Sequence, residues 1–377
     1  MHIILLEANP SDIGGKERSA LDVCRGLSQR GHRVSLFYAQ EGNFLEEYQQ
    51  FCDHLVKVNQ PFKVDYSTPV TIKLFRNFFG EAFKFRKNPG DVVYINQYHD
   101  GIFATALGLV KTIPVVCHLR HPQPQILYKR WMIALKFIRQ FIAVSEQTQS
   151  EWANLGFRKD KIAVVYNGIN PNLFLPTPDF FLSRKNWKIT QDSKIISYLG
   201  RLDREKGLET LIKACALLSS NYTNFRLLIA GKPCFETSQY QRDLVDLAKD
   251  LGIKESVEFL GHLNNQIPLY QVSDVTVLPS RVSEPFGRAI IESMSCGIPA
   301  LGSRIGGIPE ILTGEFKGCL FEPDNEQDLS DKLASIIHWR EDDPQLGQRC
   351  RHHVMDRFTL DNVIDGVEQV LLNVGNG

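Results

Sequence analysis

Short apolar runs rich in valine and isoleucine recur along this chain, and stretches long enough for a helix separate most of them. In the first half they are HIILLE (2–7), RVSLFYA (33–39), DVVYINQ (91–97), PVVCHL (114–119), QFIAVS (140–145) and IAVVYNG (162–168). In the second they are KIISYLG (194–200), FRLLIAG (225–231), SVEFLG (256–261), VTVLPS (275–280), PALGSR (299–304) and GCLFEP (318–323). These runs are continuous rather than alternating, so each is expected to be buried on both faces. That pattern predicts parallel sheets covered by helices on either side. Helical period follows near 206–220, 239–251, 264–273, 286–296 and 325–340, and again at the end of the chain.

The alternation breaks once, at NPNLFLPTPDFFLSRKNWKITQDSK (170–194), which holds three prolines and no clear period. We read residues 1–170 and 194–355 as two tandem Rossmann-like, doubly wound α/β domains, 171–193 as a linker and 356–377 as a terminal helix. A length of 377 residues suits two domains. In such sheets ligands bind beyond the C-terminal strand ends, so two domains facing each other are expected to line one central cleft.

Composition excludes several classes. Lysine plus arginine equals aspartate plus glutamate at 43 each, which gives no bulk polyelectrolyte character and no expectation of nucleic acid as a partner. The balance is uneven: residues 1–170 carry 21 basic against 15 acidic, and 171–377 carry 22 against 28. The eight cysteines are scattered without a C-x-x-C pair, which argues against zinc or a disulfide frame and suits a reducing cytoplasm. The opening MHIILLEANP does not read as a signal peptide, and no apolar run is long enough for a membrane span.

The motifs fall at predicted strand ends. In GRLDREKG (200–207), Arg201 and Lys206 precede a helix start, where free amides and the helix dipole favour phosphate. Read alone they are surface cations or a diphosphate grip. EPFG (284–287) forms a turn ahead of a helix expected from about Phe286 to Cys296. Glu284 and Glu292 stand eight residues apart, a spacing that suggests one shared face and two carboxylates for sugar or ribose hydroxyls. The alternative is a helix cap and a solvated glutamate. SRIGGIPE (303–310) and DIGGKE (12–17) are further glycine turns, and neither is the G-x-G-x-x-G fingerprint of dinucleotide binders. VVCHLRHP (115–122) sets His118 and His121 at or just past a strand end, as cleft donors or as structural histidines.

Taken together, G-R-L…K-G, then E-P-F-G-x4-E-x3-C-G-x-P, then Gly-Gly resembles the retaining GT-B glycosyltransferases of the large family-four group. AVSE (143–146), VVYNGIN (164–170) and the Gly14-Gly15 turn extend the resemblance into the first half. It implies a catalytic set of His118, Arg201, Lys206 and Glu284. Arg201 and Lys206 would hold and stabilise the donor diphosphate. Glu284, with the backbone amides of Phe286 and Gly287, would hold the transferred sugar, and Glu292 the ribose. His118 would contact the sugar near its reacting carbon. Gly14 and Gly15 would let backbone approach donor phosphate or acceptor, and His121 is a further acceptor-side candidate.

The resemblance further implies a nucleoside diphosphate sugar as donor, UDP favoured over GDP, with no cofactor and no metal. The terminal helix is expected to cross back to the first domain, and closure about the linker to exclude water. A lipid, glycan or small metabolite would be the acceptor, and the setting cytoplasmic, or peripheral at the inner face of a membrane. Two basic, apolar stretches, KLFRNFFGEAFKFRK (73–87) and LYKRWMIALKFIR (127–139), suit contact with an anionic membrane or plain core helices with snorkelling cations. A nucleotide-sugar epimerase and a non-catalytic sugar-nucleotide binder on the same fold are the alternatives. Two departures from the family pattern stand out: Leu119 follows His118 where many relatives have Asp or Gly, and Arg288 follows the Phe-Gly pair.

Overall fold

The computed structural model describes residues 1–11, 15–59, 72–124, 126–220, 222–233 and 239–375, with backbone only for 72–75. The chain divides into two compact units: residues 1–167 with 360–377, and residues 168–359.

Unit 1 is built on seven parallel strands: β1 His2–Leu6, β2 Arg33–Tyr38, β3 His54–Lys57, β4 Val92–Ile95, β5 Val115–Leu119, β6 Gln140–Ala143 and β7 Ile162–Val164. Their order is β3-β2-β1-β4-β5-β6-β7. Alternate side chains feed two cores. Ile4, Leu6, Val93, Ile95, Cys117 and Leu119 pack beneath the helices Ile72–Lys84, Gly101–Lys111 and Lys129–Leu135. Ile3, Leu5, Tyr94, Val116 and Ile142 pack on the opposite face, under Gly15–Gln29 and Leu360–Gly375. Strand β3 escaped the sequence reading because HLVK is a half-exposed edge strand with no continuous apolar run.

Unit 2 carries six parallel strands: β8 Lys194–Leu199, β9 Phe225–Ala230, β10 Val257–Gly261, β11 Val275–Leu278, β12 Ala300–Ser303 and β13 Leu320–Phe321, in the order β10-β9-β8-β11-β12-β13. All six coincide with apolar runs of the sequence. In both sheets the order reverses beside the first strand, between β1 and β4 and between β8 and β11. Ligand sites of open α/β sheets lie beyond the strand ends at such a reversal.

Residues 171–193 are not a free connector. They belong to unit 2 and contain the helix Phe180–Asn186, capped by Asp179, whose Oδ1 accepts from the Leu182 amide at 2.9 Å. Arg184 on this helix is 1% exposed. It ion-pairs with the equally buried Asp274 and donates to the Ser193 carbonyl at 2.7 Å. Asp274 also accepts from the Ile195 amide at 2.7 Å and from Arg340 at 3.2 Å, so one buried carboxylate ties the helix to the starts of β8 and β11. Arg351 adds hydrogen bonds to the carbonyls of Phe174 and Pro171. The prolines hid this order by breaking the helical period. The terminal segment is two helices, Leu346–Arg357 in unit 2 and Leu360–Gly375 in unit 1.

Candidate functional site

In unit 2 the segments after β8 and β11 come together. The chain leaves β8 at Gly200, where a Cβ would lie 2.7 Å from the Tyr198 hydroxyl, and that hydroxyl donates to the Arg201 carbonyl. A single tight turn, Arg204–Lys206, is capped by Asp203. Gly207 then adopts φ +65°, with a would-be Cβ 2.1 Å from the Pro279 carbonyl, and the helix Leu208–Ser219 begins. Only glycine permits both that dihedral and that approach. The result brings Lys206, directly ahead of a helix, against the loop after β11.

There Lys206 Nζ ion-pairs with Glu284 Oε2, and the Ser280 hydroxyl donates to the same oxygen at 3.1 Å. The two side chains are 17% and 16% exposed. Arg201, by contrast, is 57% exposed, with its guanidinium 3.6 Å from Asp203. Of the two expected diphosphate cations, one is set into the loop junction and the other faces solvent.

The glycine pair after β12 has a specific task. Gly306 has φ +61°, and a Cβ there would lie 2.4 Å from the Glu284 nitrogen and 2.2 Å from its carbonyl oxygen. The Gly307 amide donates to that carbonyl at 2.8 Å. The pair thus cradles the Glu284 backbone. Glu284 itself lies ahead of the helix, which runs Arg288–Ser295 rather than from Phe286, so the eight-residue spacing does not put Glu284 and Glu292 on one helix face. Phe286 is 2% exposed and packs on Phe358. Gly287, at φ +106°, turns the chain into the helix, whose first amides have no partner within it and form its positive end.

Glu292 is 4% exposed and held from two sides: Tyr270 donates its hydroxyl to Oε2 at 2.8 Å, and Arg288 Nε donates to Oε1 at 2.7 Å. Burial pushes the Tyr270 phenol well above its ordinary pKa, with the Glu292 charge adding to it, so Tyr270 remains a donor. A carboxylate has about four acceptor positions, so two partners leave room for hydroxyls. Arg288, a departure in the sequence, is thus the charge partner of Glu292. The i,i+4 spacing was a visible signal for that pair. Nothing in the local pattern pointed to Tyr270.

In unit 1 the equivalent reversal lies between β1 and β4. Gly15 opens the helix Gly15–Gln29, and Gly14 lies outside the described residues. Lys16 donates to Gln97 at 2.8 Å and sits 3.1 Å from Glu17, while Asn96 donates to the Lys16 carbonyl at 2.8 Å. Glu7, just past β1, is 3% exposed. Burial pushes its carboxyl up to about 8; Asp100 and Glu17 act in the same direction, and Lys16 and Asn96 oppose them.

His118 is not at the surface of this unit. It lies within β5, wholly buried, with Nδ1 2.7 Å from the Tyr94 hydroxyl and 3.2 Å from Arg120. An arginine can only donate, so Nδ1 accepts and Nε2 carries the proton. Nε2 is buried without a hydrogen-bond partner among the described residues. Burial, and then the Arg120 charge, hold its pKa well below the usual histidine range. The reason is strand alternation: Val116 and His118 point to one core, Cys117 and Leu119 to the other. Arg120, also buried, donates to Asn96 at 2.5 Å and to Asn167 at 2.6 Å.

His121 does reach a surface. It and His99, with ring centroids 6.3 Å apart, line an open recess of about 460 Å³ together with Tyr98, Gln123, Ile126 and Tyr128. The recess lies past the C-terminal ends of β4 and β5. No grouping of three or more His, Cys, Asp or Glu suited to a metal occurs among the described residues.

Comparison with known proteins covers both units. The family model Glycosyltransferase Family 4 matches residues 13–173, and Glycosyl transferases group 1 matches residues 179–353. An uncharacterised glycosyltransferase of Methanocaldococcus jannaschii is 33% identical over 234 residues, covering 59% of this chain and 57% of that protein. The N-acetyl-alpha-D-glucosaminyl L-malate synthase of Bacillus anthracis is 28% identical, covering 62% of this chain and 59% of that one. The chain thus spans about half the length of the curated relatives it matches. Among solved structures, Anabaena HepE in complex with UDP and glucose superposes with a TM-score of 0.82 at 22% identity, covering 98% of each chain. A glycosyltransferase from Rickettsia africae gives 0.84 at 20%, covering 99% of this chain and 98% of the other. At such identities the likeness bears on the fold.

Proposed function

The chain belongs to the group 1, family 4 glycosyltransferases of the GT-B fold, and from that premise we propose that it transfers a hexose from a nucleoside diphosphate sugar to an acceptor hydroxyl, with retention at the anomeric carbon. The observation that carries this reading is the Lys206–Glu284 pair at the β8/β11 reversal. A donor supplies an anion for one partner and hydroxyls for the other, so both groups can exchange partners without losing compensation.

In this reading Lys206, with Arg201 swinging in from solvent, holds the diphosphate in place of a metal. Glu284 and the amides of Phe286 and Gly287 hold the transferred sugar. Glu292, oriented by Tyr270 and Arg288, takes the ribose hydroxyls. UDP is the favoured nucleotide, a choice supported by the UDP complex of a protein of similar fold. On unit 1, Gly15 lets backbone approach the acceptor, and His118, buried within β5, is given no contact with the sugar. His121 and His99 offer the acceptor polar contacts in the recess. The free thiols of the described cysteines suit a cytoplasmic setting.

Chemically, the bond from the anomeric carbon to the β-phosphate oxygen breaks and one to the acceptor oxygen forms on the same face. The departing phosphate takes the acceptor proton. Lys206 and Arg201 stabilise the charge that develops on the leaving group, which is where preorganised electrostatics act most strongly.

The test is a thermal-shift panel of UDP-, GDP- and ADP-sugars, with Lys206→Ala and Glu292→Ala. A shift with one donor, lost in both variants, supports the reading, since ligand binding raises the midpoint by mass action. No shift with any donor sinks it. Conversion of the donor sugar with no acceptor present would mark an epimerase instead.

A further inference from the structure

Three helices cover one face of the unit 1 sheet: Ile72–Lys84, Gly101–Lys111 and Lys129–Leu135. Their inward sides are ordinary core. Phe78 and Ala82 are buried on the first, and Trp131, Ala134 and Leu135 on the third. Their outward sides are not ordinary. Phe79 and Phe83 are 38% and 54% exposed, and Ile133 and Phe137 are 55% and 56% exposed. Each pair is spaced i,i+4, so each segment presents two large apolar groups outward, one above the other. Leu109, on the middle helix, is half exposed as well. Scattered exposed apolar residues need no explanation, but repeated ones in a single layer do.

The charges around them are of one sign. Arg76, Lys84, Arg86 and Lys87 are exposed beside the first pair, and Lys129, Lys136 and Arg139 beside the second. Between residues 76 and 87 the sole carboxylate is Glu81, which is 4% exposed and bound by Lys84 at 2.5 Å and the Asn59 amide at 3.2 Å. Between 126 and 139 there is none. Arg86 lies over the Phe83 ring at 4.1 Å, a cation resting on an exposed aromatic. No described helix is long and apolar enough to cross a membrane, so the layer is suited to lie on a surface.

We propose that unit 1 rests on an anionic lipid bilayer through this layer, with Phe79, Phe83, Ile133 and Phe137 entering the interface and the flanking lysines and arginines pairing with lipid headgroups. Apolar insertion combined with attraction to anionic lipid is the physics of peripheral membrane helices. The recess adjoins this surface through its own wall. Ile126, 64% exposed, and Tyr128, which caps the Lys129–Leu135 helix, line the recess and lead directly into that helix. An acceptor carried on the bilayer would therefore meet His99 and His121 with its headgroup. This deepens the glycosyl-transfer reading and rests on it only for the word acceptor; the surface itself stands on exposure and charge.

The experiment is co-sedimentation of the full chain with phosphatidylcholine vesicles, with and without phosphatidylglycerol, at low and high salt. The chain should pellet with the phosphatidylglycerol vesicles and release as salt rises. Phe83→Ser/Ile133→Ser/Phe137→Ser, and separately Lys84→Glu/Lys136→Glu, should each weaken that binding about tenfold or more. Leu182→Ser, an exposed leucine on unit 2, should leave it unchanged. Donor-induced thermal shifts of all variants should match those of the parent chain. Failure of the parent chain to pellet, or equal pelleting of the variants, overturns the proposal. So does a dimer that the triple variant converts to monomer without any vesicle binding, because the face would then serve self-association. Vesicle binding without any donor shift would overturn the glycosyl-transfer reading and leave the surface standing.

Discussion

Lys206 Nζ meets Glu284 Oε2 across 78 residues of sequence, at the point where the strand order of the second sheet reverses. Each group is oriented by the other before any ligand arrives. Lys206→Ala and Glu284→Gln should each lower turnover about a hundredfold or more, the scale of removing one preorganised group. Stability should fall by only about 1 kcal/mol, because both side chains keep some contact with water. Steady-state kinetics beside urea unfolding separates the two effects. A variant that loses a hundredfold in activity and several kcal/mol in stability would show the pair to be structural.

Glu292 depends more heavily on its partners, being nearly fully buried. Tyr270→Phe removes one neutral donor and should cost about 1 kcal/mol. Arg288→Ala leaves a buried carboxylate without its cation and should cost about 2–3 kcal/mol. Chemical denaturation midpoints check the order of the two. Donor affinity should fall in the same order, since both variants loosen the same carboxylate.

Gly306 is placed where no other residue fits. Gly306→Ala combines a positive φ with a Cβ overlapping the Glu284 backbone, so it should cost more than about 1 kcal/mol. Its larger effect should fall on donor affinity, through displacement of Glu284. Gly318→Ala, where a Cβ meets nothing within 4 Å, is the matched control and should leave donor affinity unchanged.

The Glu7 carboxyl offers a test by pH. Its folded value of about 8 lies above the ordinary 4.5, so the folded chain binds one more proton than the unfolded chain between those limits. Stability from this group is complete below about pH 4.5 and is lost as pH rises toward 8, by at most about 4–5 kcal/mol. Glu7→Gln should match the parent chain near pH 5 and exceed it near pH 8. Equal slopes for the two proteins across that window would show that Glu7 does not keep its proton.

How far the sequence reaches depends on the kind of order involved. Twelve of the thirteen strands were legible, most of them because burial on both faces leaves a continuous apolar run; the half-exposed edge strand β10 was legible from its valine, phenylalanine and leucine alone. Strand β3, at an edge, had no such run. Lys206 and Glu284 were legible as residue types at strand ends, but their pairing was not, since it is made by Gly207 pressing on Pro279 and by Gly306 cradling Glu284. His118 shows the opposite limit. A histidine near a strand end could sit on the rim or on the buried face, and only the alternation of Val116 with Cys117 decides between them. Tyr270 could not have been found locally, because it comes to Glu292 from a helix 22 residues earlier.

The helix Leu360–Gly375 supplies Val363, Ile364, Val367 and Leu371 to the same core as Ile3 and Leu5, and Gly26 makes room for Ile364. On the ribosome, this places the completion of unit 1 after the 192 residues of unit 2, 168 through 359, have been made. At about 5–20 residues per second, roughly 10–40 seconds pass during which the first-made half waits with that core face uncovered. The later-made unit is the first that can close around a complete core. Synthesis of this chain thus reverses the usual order: the first-made half is the last to be completed.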